Sequence, residues 1–242
     1  GNSGAFPGGS PRSILTPDGA GFLWGTTYIG GTASGGTGSL LIQGGGALTN
    51  SGGSYMGYVA GSSGLTTVTG TNSKWSTTLG LSVGYAGSGA LTVSSGGAVS
   101  DSSGYIGNLT GSSGQATVTG AGSKWTSSAS LFVGVSGAGT LRVENGGVIQ
   151  DLSGQVGVNA GSTGTATVTD AGSSWTNTSG LDVGVAGTGT LNILNLNGAN
   201  AAANDIRDAL ATTLREVAPG ALFLLAVYGL ARVAQRGLYS GV

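Results

Sequence analysis

The sequence predicts a mainly β protein: a parallel β-solenoid of about seven coils, two per 50-residue repeat, followed by a C-terminal α-helical tail. Three observations predict it. A tryptophan-marked phrase recurs every 50 residues, each 50-residue unit divides into two similar halves, and the composition changes near residue 196.

The period comes first. Trp75, Trp125 and Trp175 are spaced by 50 residues, and each closes a phrase like Thr117-Val118-Thr119-Gly120-Ala121-Gly122-Ser123-Lys124-Trp125. Trp24 stands 51 residues before Trp75, after Gly19-Ala20-Gly21, and reads as a degenerate first copy. Each half-unit is an apolar residue plus glycine, a glycine-rich turn and a short Thr/Leu/Val strand. The apolar–glycine steps are Ile29-Gly30, Met56-Gly57, Val83-Gly84, Ile106-Gly107, Val133-Gly134, Val156-Gly157 and Val183-Gly184. The strand cores are Leu40–Ile42, 67–69, 91–93, 117–119, 141–143, 167–169 and 191–193.

Short β-branched runs between Gly, Ser and Asn clusters are strand signals, and no 3.6-residue period lies between them. A coil of about 25 residues cannot bury an apolar face alone. Stacked on similar coils it buries a continuous core and pairs its backbone above and below. Seven coils at about 4.8 Å each rise roughly 34 Å. Six residues past the strands stand Leu48, Trp75, Val99, Trp125, Ile149 and Trp175, with Ala199 next. Trp and aliphatic side chains alternating at one position form a ladder, which makes these six residues the expected solenoid core. In the Thr-Val-Thr coils either the valine or the threonines face inward, since a one-residue slip exchanges the faces.

Composition excludes several classes. The chain has 242 residues and 52 glycines, but no every-third-residue glycine period, so it is not a collagen. Only 7% of residues are charged and the net charge is −1, which gives a polyanion such as nucleic acid nothing to bind. There is no Cys and no His, so disulfides, thiol chemistry, the common zinc sites and the usual general base are absent.

The remaining candidates for chemistry are few. Asp101, Glu144, Asp151, Asp170 and Asp182 are the acids of the repeat region, and Asp101 and Asp151 are equivalent and two coils apart. About 9.6 Å of rise brings such a pair near the limit for an inverting glycosidase. With no aromatic groove or basic cluster beside them, they read as solvated turn residues. Gly35-Gly36-Thr37-Gly38 lacks the Asp of a calcium roll, and no Gly-Lys-Ser/Thr follows any glycine turn. Thr67/Thr69, Thr117/Thr119 and Thr167/Thr169 form a Thr-x-Thr array that recurs every second coil, too sparse for an ice lattice. Lys74 and Lys124 read as solvated, because Ser174 takes their place in the third copy. No catalytic, cofactor-binding or metal-binding residue is expected.

Residues 87–97 (Gly-Ser-Gly-Ala-Leu-Thr-Val-Ser-Ser-Gly-Gly) and 118–125 (Val-Thr-Gly-Ala-Gly-Ser-Lys-Trp) resemble the repeat shared by type V autotransporter passengers and PEP-CTERM proteins. The resemblance covers roughly residues 19–195. It implies a β-solenoid exported from a Gram-negative bacterium and displayed at its surface, with no catalytic residues.

Three segments follow: an arm over 1–18, rich in Gly, Ser and Pro, the solenoid over 19–195, and a hydrophobic tail over 196–242. In the tail Asn200 or Asn204 is suited to cap a helix. Ile206, Leu210, Leu214 and Val217 then make an amphipathic stripe, with Arg207, Asp208, Arg215 and Glu216 largely off it. Past Pro219-Gly220 the run 221–231, with Leu222, Phe223, Leu224, Leu225, Val227, Tyr228 and Leu230, is apolar all round, and Arg232 and Arg236 follow it. Three roles fit the tail: a helix between copies of the chain, a membrane anchor over 217–236, or a cap on the solenoid. The charge-free stretch 217–231 spans about 22 Å as helix, short of a bilayer core of about 30 Å.

The function expected is that of a non-enzymatic extracellular structural subunit, assembled with itself into a filament or layer through the C-terminal helix. The alternative is a membrane-anchored adhesin that binds host or matrix glycans. Exposed aromatics or variable insertions would favour it, but the repeats are uniform and lack long insertions.

Overall fold

The computed structural model describes residues 25–31 and 34–194, and the backbone of 12–14 and 20–23. Trp24, most of the arm, and the whole tail with its stripe Ile206, Leu210, Leu214 and Val217 and its run 221–231 lie outside the described residues.

The fold is an all-β parallel solenoid of about seven turns. The first coil is β1 (Arg12–Ile14), β2 (Ala20–Leu23) and β3 (Thr27–Ile29), and the second is β4 (Thr37–Ile42), β5 (Ala47–Asn50) and β6 (Ser54–Met56). The third is β7 (Ser63–Thr69), β8 (Lys74–Thr77) and β9 (Leu81–Val83), and the fourth β10 (Ser88–Ser94), β11 (Ala98–Asp101) and β12 (Gly104–Ile106). The fifth is β13 (Ser113–Thr119), β14 (Lys124–Ser127) and β15 (Ser130–Val133). In the sixth and seventh, β16 (Ala138–Glu144) and β18 (Thr163–Thr169) are each followed by one long strand, β17 (Val148–Val156) and β19 (Ser174–Val183), that covers two faces. The last strand, β20 (Thr188–Leu194), stacks on β18.

Three faces result. The first strands of the coils form one sheet, in which Ser63, Ser88, Ser113, Ala138, Thr163 and Thr188 pair in turn, 25 residues apart each time. The second and third strands form two further faces, joined where β17 and β19 pass between them. A register irregularity between Asp151 and Ser153 marks that passage in β17.

Along the strands whose side chains are described, these alternate in and out. On the first face Val68, Val93, Val118 and Val143 are buried in one column, so in the Thr-Val-Thr coils the valine faces in and the threonines face out. The Thr-x-Thr pairs recur every second coil, and the register adds one threonine between them: Thr67, Thr92 and Thr117 are direct neighbours, and the Arg142–Glu144 ion pair then interrupts the row. The strand core 91–93 lies one residue off the true partner of 67–69, because the corner after β7 is longer. Seven positions separate Val68 from Trp75, but six separate Val93 from Val99.

On the second face Leu48, Trp75, Val99, Trp125, Ile149 and Trp175 are register partners in a single inward column. In the first coil the partner of Leu48 is Gly21. All but Trp175 are buried.

The glycine of each apolar–glycine step sits at a corner with positive φ, for example +71° at Gly107. A Cβ there would lie 2.2 Å from the carbonyl oxygen of Ala138 on the coil above. Conformation disfavours a side chain at all seven steps, and space excludes one at all but Gly184, which is why the step recurs.

Candidate functional site

The repeat is two coils long because two kinds of coil interlock. Bulky coils carry Trp75 with Leu81, Trp125 with Leu131, and Trp175 with Leu181. Slim coils carry Leu48 with Ser54, Val99 with Gly104, and Ile149 with Gly154. A Cβ on Gly104 would meet Cζ2 of Trp125 at 2.8 Å and Cδ1 of Leu131 at 2.5 Å. The slim coil's glycine is the space into which the next coil's indole leans.

Each indole also needs an acceptor, since a buried N–H without one is costly. The slim coil below supplies it, two positions past its ladder residue and so on the same inward face. Trp75 Nε1 donates to Asn50 Oδ1 at 3.3 Å, Trp125 Nε1 to Asp101 Oδ2 at 2.6 Å, and Trp175 Nε1 to Asp151 Oδ2 at 2.6 Å. The bulky coils complete this polar column with Thr77, Ser127 and Asn177, the register partners of Asn50, Asp101 and Asp151.

This corrects the reading of Asp101 and Asp151 as solvated turn residues. Both lie on strands facing inward and are buried. Burial pushes the Asp101 carboxyl up to about 7, against the opposing pull of Ser127 and Trp125, and the nearby Asp151 adds to the rise. Ser127 is near enough to act on this group, but its Oγ and Asp101 Oδ1 are buried without reaching hydrogen-bond geometry. Asp151 is as inaccessible, but it lies one coil from the end of the stack with less protein around it. Burial raises it too, against the donors Trp175 and Asn177. The other acids among the described residues face solvent: Glu144 pairs with Arg142 at 2.9 Å, Asp170 accepts from the Asn145 backbone N–H, and Asp182 is exposed.

A second feature lies outside, on the third face. The outward column there reads Tyr28, Tyr55, Ser82, Tyr105, Phe132, Gln155 and Asp182. Tyr58 and Tyr85, just past the corner glycines, join it. Tyr28 stacks on Tyr55 at 5.7 Å between ring centroids, Tyr58 on Tyr85 at 5.2 Å, and Tyr105 on Phe132 at 5.1 Å, with edge contacts linking the first four rings. Near-parallel rings at such spacing turn their faces to one another. The aromatic column spans roughly 19 Å from the first coil to the fifth, as one group of four rings and one of two with Ser82 between them. Tyr28, 39% exposed, is the most open described tyrosine. Partial burial, first among the causes, pushes the Tyr28 and Tyr55 hydroxyls above their usual range, and neighbouring tyrosines add to it.

Sequence reasoning did not single out this stripe, although it carries a signal. Tyr28, Tyr55, Tyr105 and Phe132 each stand one residue before the inward apolar residue of an apolar–glycine step, so alternation alone places them outside. Among the described residues no three Asp or Glu side chains gather as a metal site. No family model matches the chain, and neither a search of curated proteins nor one of solved structures finds a match.

Proposed function

We propose that this chain is a non-enzymatic structural subunit: a β-solenoid rod displayed outside a Gram-negative bacterium and assembled with its own copies into a filament or layer. The carrying observation is how its interior groups are used. The two acids most suited by position to act as a pair are buried and hold the indoles of the next coil. They serve cohesion between coils, and a substrate at the surface does not reach them. The repeat resemblance supports export and display. The run 221–231, apolar on all sides, calls for surroundings of the same kind on every side, which copies of itself provide.

Negative-stain electron microscopy without detergent tests this. The full chain should form filaments or sheets, and a version ending at Asn204 only short rods. Short rods from both would refute assembly through the tail. A full chain dispersed only by detergent and inserting into liposomes would make the tail a membrane anchor.

The aromatic stripe favours a second reading, adhesion to a glycan along the rod. An outward column of tyrosines, continued by Gln155 and Asp182, offers both apolar contact and hydrogen bonds to a sugar chain. Binding to arrayed host or matrix glycans that is lost on changing Tyr28 and Tyr55 together to Ser supports it. An array bare of bound wild-type protein counts against it.

A further inference from the structure

One turn of the sixth coil is built from a chemically labile pair. Glu144, Asn145, Gly146 and Gly147 form a tight turn between β16 and β17, closed by the Gly147 N–H donating to the Glu144 carbonyl at 3.0 Å. Both central residues have positive φ, +53° at Asn145 and +84° at Gly146. Asn followed by Gly adopts such a pair of angles readily. The other slim coils make the same turn with Gly44-Gly45 and Ser95-Gly96. Of the three, the sixth coil's alone places a side-chain amide one residue before a glycine nitrogen. That nitrogen has no neighbouring side chain to shield it, so an Asn-Gly pair is prone to attack on the Asn side chain by the next residue's backbone.

The neighbouring coils engage the groups this attack needs. The Gly146 N–H, whose nitrogen is the nucleophile, donates to Ser173 Oγ of the seventh coil at 3.0 Å. Asn145 Nδ2, the leaving group, donates to Thr119 Oγ1 of the fifth coil at 3.1 Å. The Asn145 backbone N–H donates to Asp170 Oδ2 of the seventh coil at 3.3 Å. The serine contact belongs to the repeat: Ser73 Oγ accepts from the Gly45 N–H at 3.1 Å, and Ser123 Oγ from the Gly96 N–H at 3.0 Å. In those two turns it seats one coil on the next. In the sixth coil it also withholds a nucleophile. Asn145 itself is exposed, so water reaches it, and the restraint comes from the hydrogen bonds.

We infer that Asn145 is a site of spontaneous deamidation that the seated seventh coil holds off. When Ser173 lifts away, the Gly146 nitrogen attacks Cγ of Asn145. The new N–Cγ bond closes a succinimide, the Cγ–Nδ2 bond breaks, and ammonia leaves with the proton of the Gly146 N–H. Water then opens the ring at either carbonyl and leaves aspartate or isoaspartate. Either product puts a third carboxylate at a corner that already holds Glu144 and Asp170. Isoaspartate also lengthens the main chain by one carbon, in a stack that keeps register residue by residue. Both changes work against reseating of the seventh coil, so the conversion runs one way. The inference depends neither on assembly nor on glycan binding.

Peptide mapping by mass spectrometry on the full chain at pH 8 tests this, reading Asn145 apart from Asn197-Gly198, the chain's other Asn-Gly pair. In the folded wild type, conversion at Asn145 should be about tenfold or more slower than in the same chain in denaturant. Ser173→Ala should speed it about fivefold, the worth of one ordinary hydrogen bond. Ser173→Thr keeps the hydroxyl and should restore the slow rate. Amide exchange at β13 and β14 shows that the alanine variant is folded, and the wild-type comparison stands whether or not it is. A wild type that converts as fast folded as in denaturant would overturn the inference. So would a folded alanine variant that converts at the wild-type rate.

Discussion

Two places in the molecule answer the same structural need with different chemistry. In the second and third coils Trp75 bonds to Asn50, and in the fourth and fifth Trp125 bonds to Asp101. Both acceptors stand two residues past the slim coil's ladder residue, and both are buried. Asn50 is well provided for: its Nδ2 donates toward Thr77 Oγ1, Ser54 Oγ and the Gly52 carbonyl. Asp101 accepts from Trp125, but its second oxygen faces Ser127 without a bond. The fold therefore requires an acceptor under each indole and does not require a charge. At Asp101 burial makes the acid hold its proton to about pH 7, and at Asp151 burial raises the carboxyl too.

The comparison can be broken most forcefully at the indole. Trp125→Ala removes a wholly buried ring and leaves Asp101 without its donor, so it should cost about 3–5 kcal/mol in chemical denaturation. Next comes Asn50→Asp, which makes the first pair resemble the second. It buries a carboxyl and discards the amide donors, lowering stability by about 1–3 kcal/mol at pH 8 and less at pH 5, where the acid is protonated. Gly104→Val fills the space into which Trp125 leans, and overpacking should lower stability by about 1–3 kcal/mol. The smallest effect belongs to Glu144→Gln on the exposed Arg142 pair, below about 1 kcal/mol and weaker still in high salt.

Much of this arrangement is readable from the chain. The 50-residue spacing of Trp75, Trp125 and Trp175 marks the repeat, and the apolar–glycine steps mark the corners where a Cβ has no room. The same reasoning stopped short at Asp101 and Asp151. A carboxylate is normally assigned to solvent because its burial is costly, and nothing local to residues 101 or 151 shows that an indole 24 positions later supplies the donor. The residue between Thr67 and Thr117 is hidden for another reason: a one-residue difference in corner length shifts one strand against the next, and only the register puts Thr92 there. The tyrosine stripe was within reach of simple alternation. The contacts among its first four rings, however, depend on Tyr58 and Tyr85, which follow the corner glycines.

The most direct test of the interlocked-coil account is the pH dependence of unfolding in the wild type and in Asp101→Asn. The raised carboxyl binds a proton in the folded chain that the unfolded chain, with its ordinary value of 3.8, has already released. Stability is therefore greatest in acid and falls as pH rises from about 4 to about 7, by a few kcal/mol, before levelling off. Asn at 101 retains an acceptor for Trp125 and removes this proton. The variant should lose most of that slope, keeping the part due to Asp151, and be at least as stable as the wild type at pH 8. Equal slopes in the two proteins, or a variant that loses stability at every pH, would contradict the claim that the fold needs an acceptor under the indole rather than a charge.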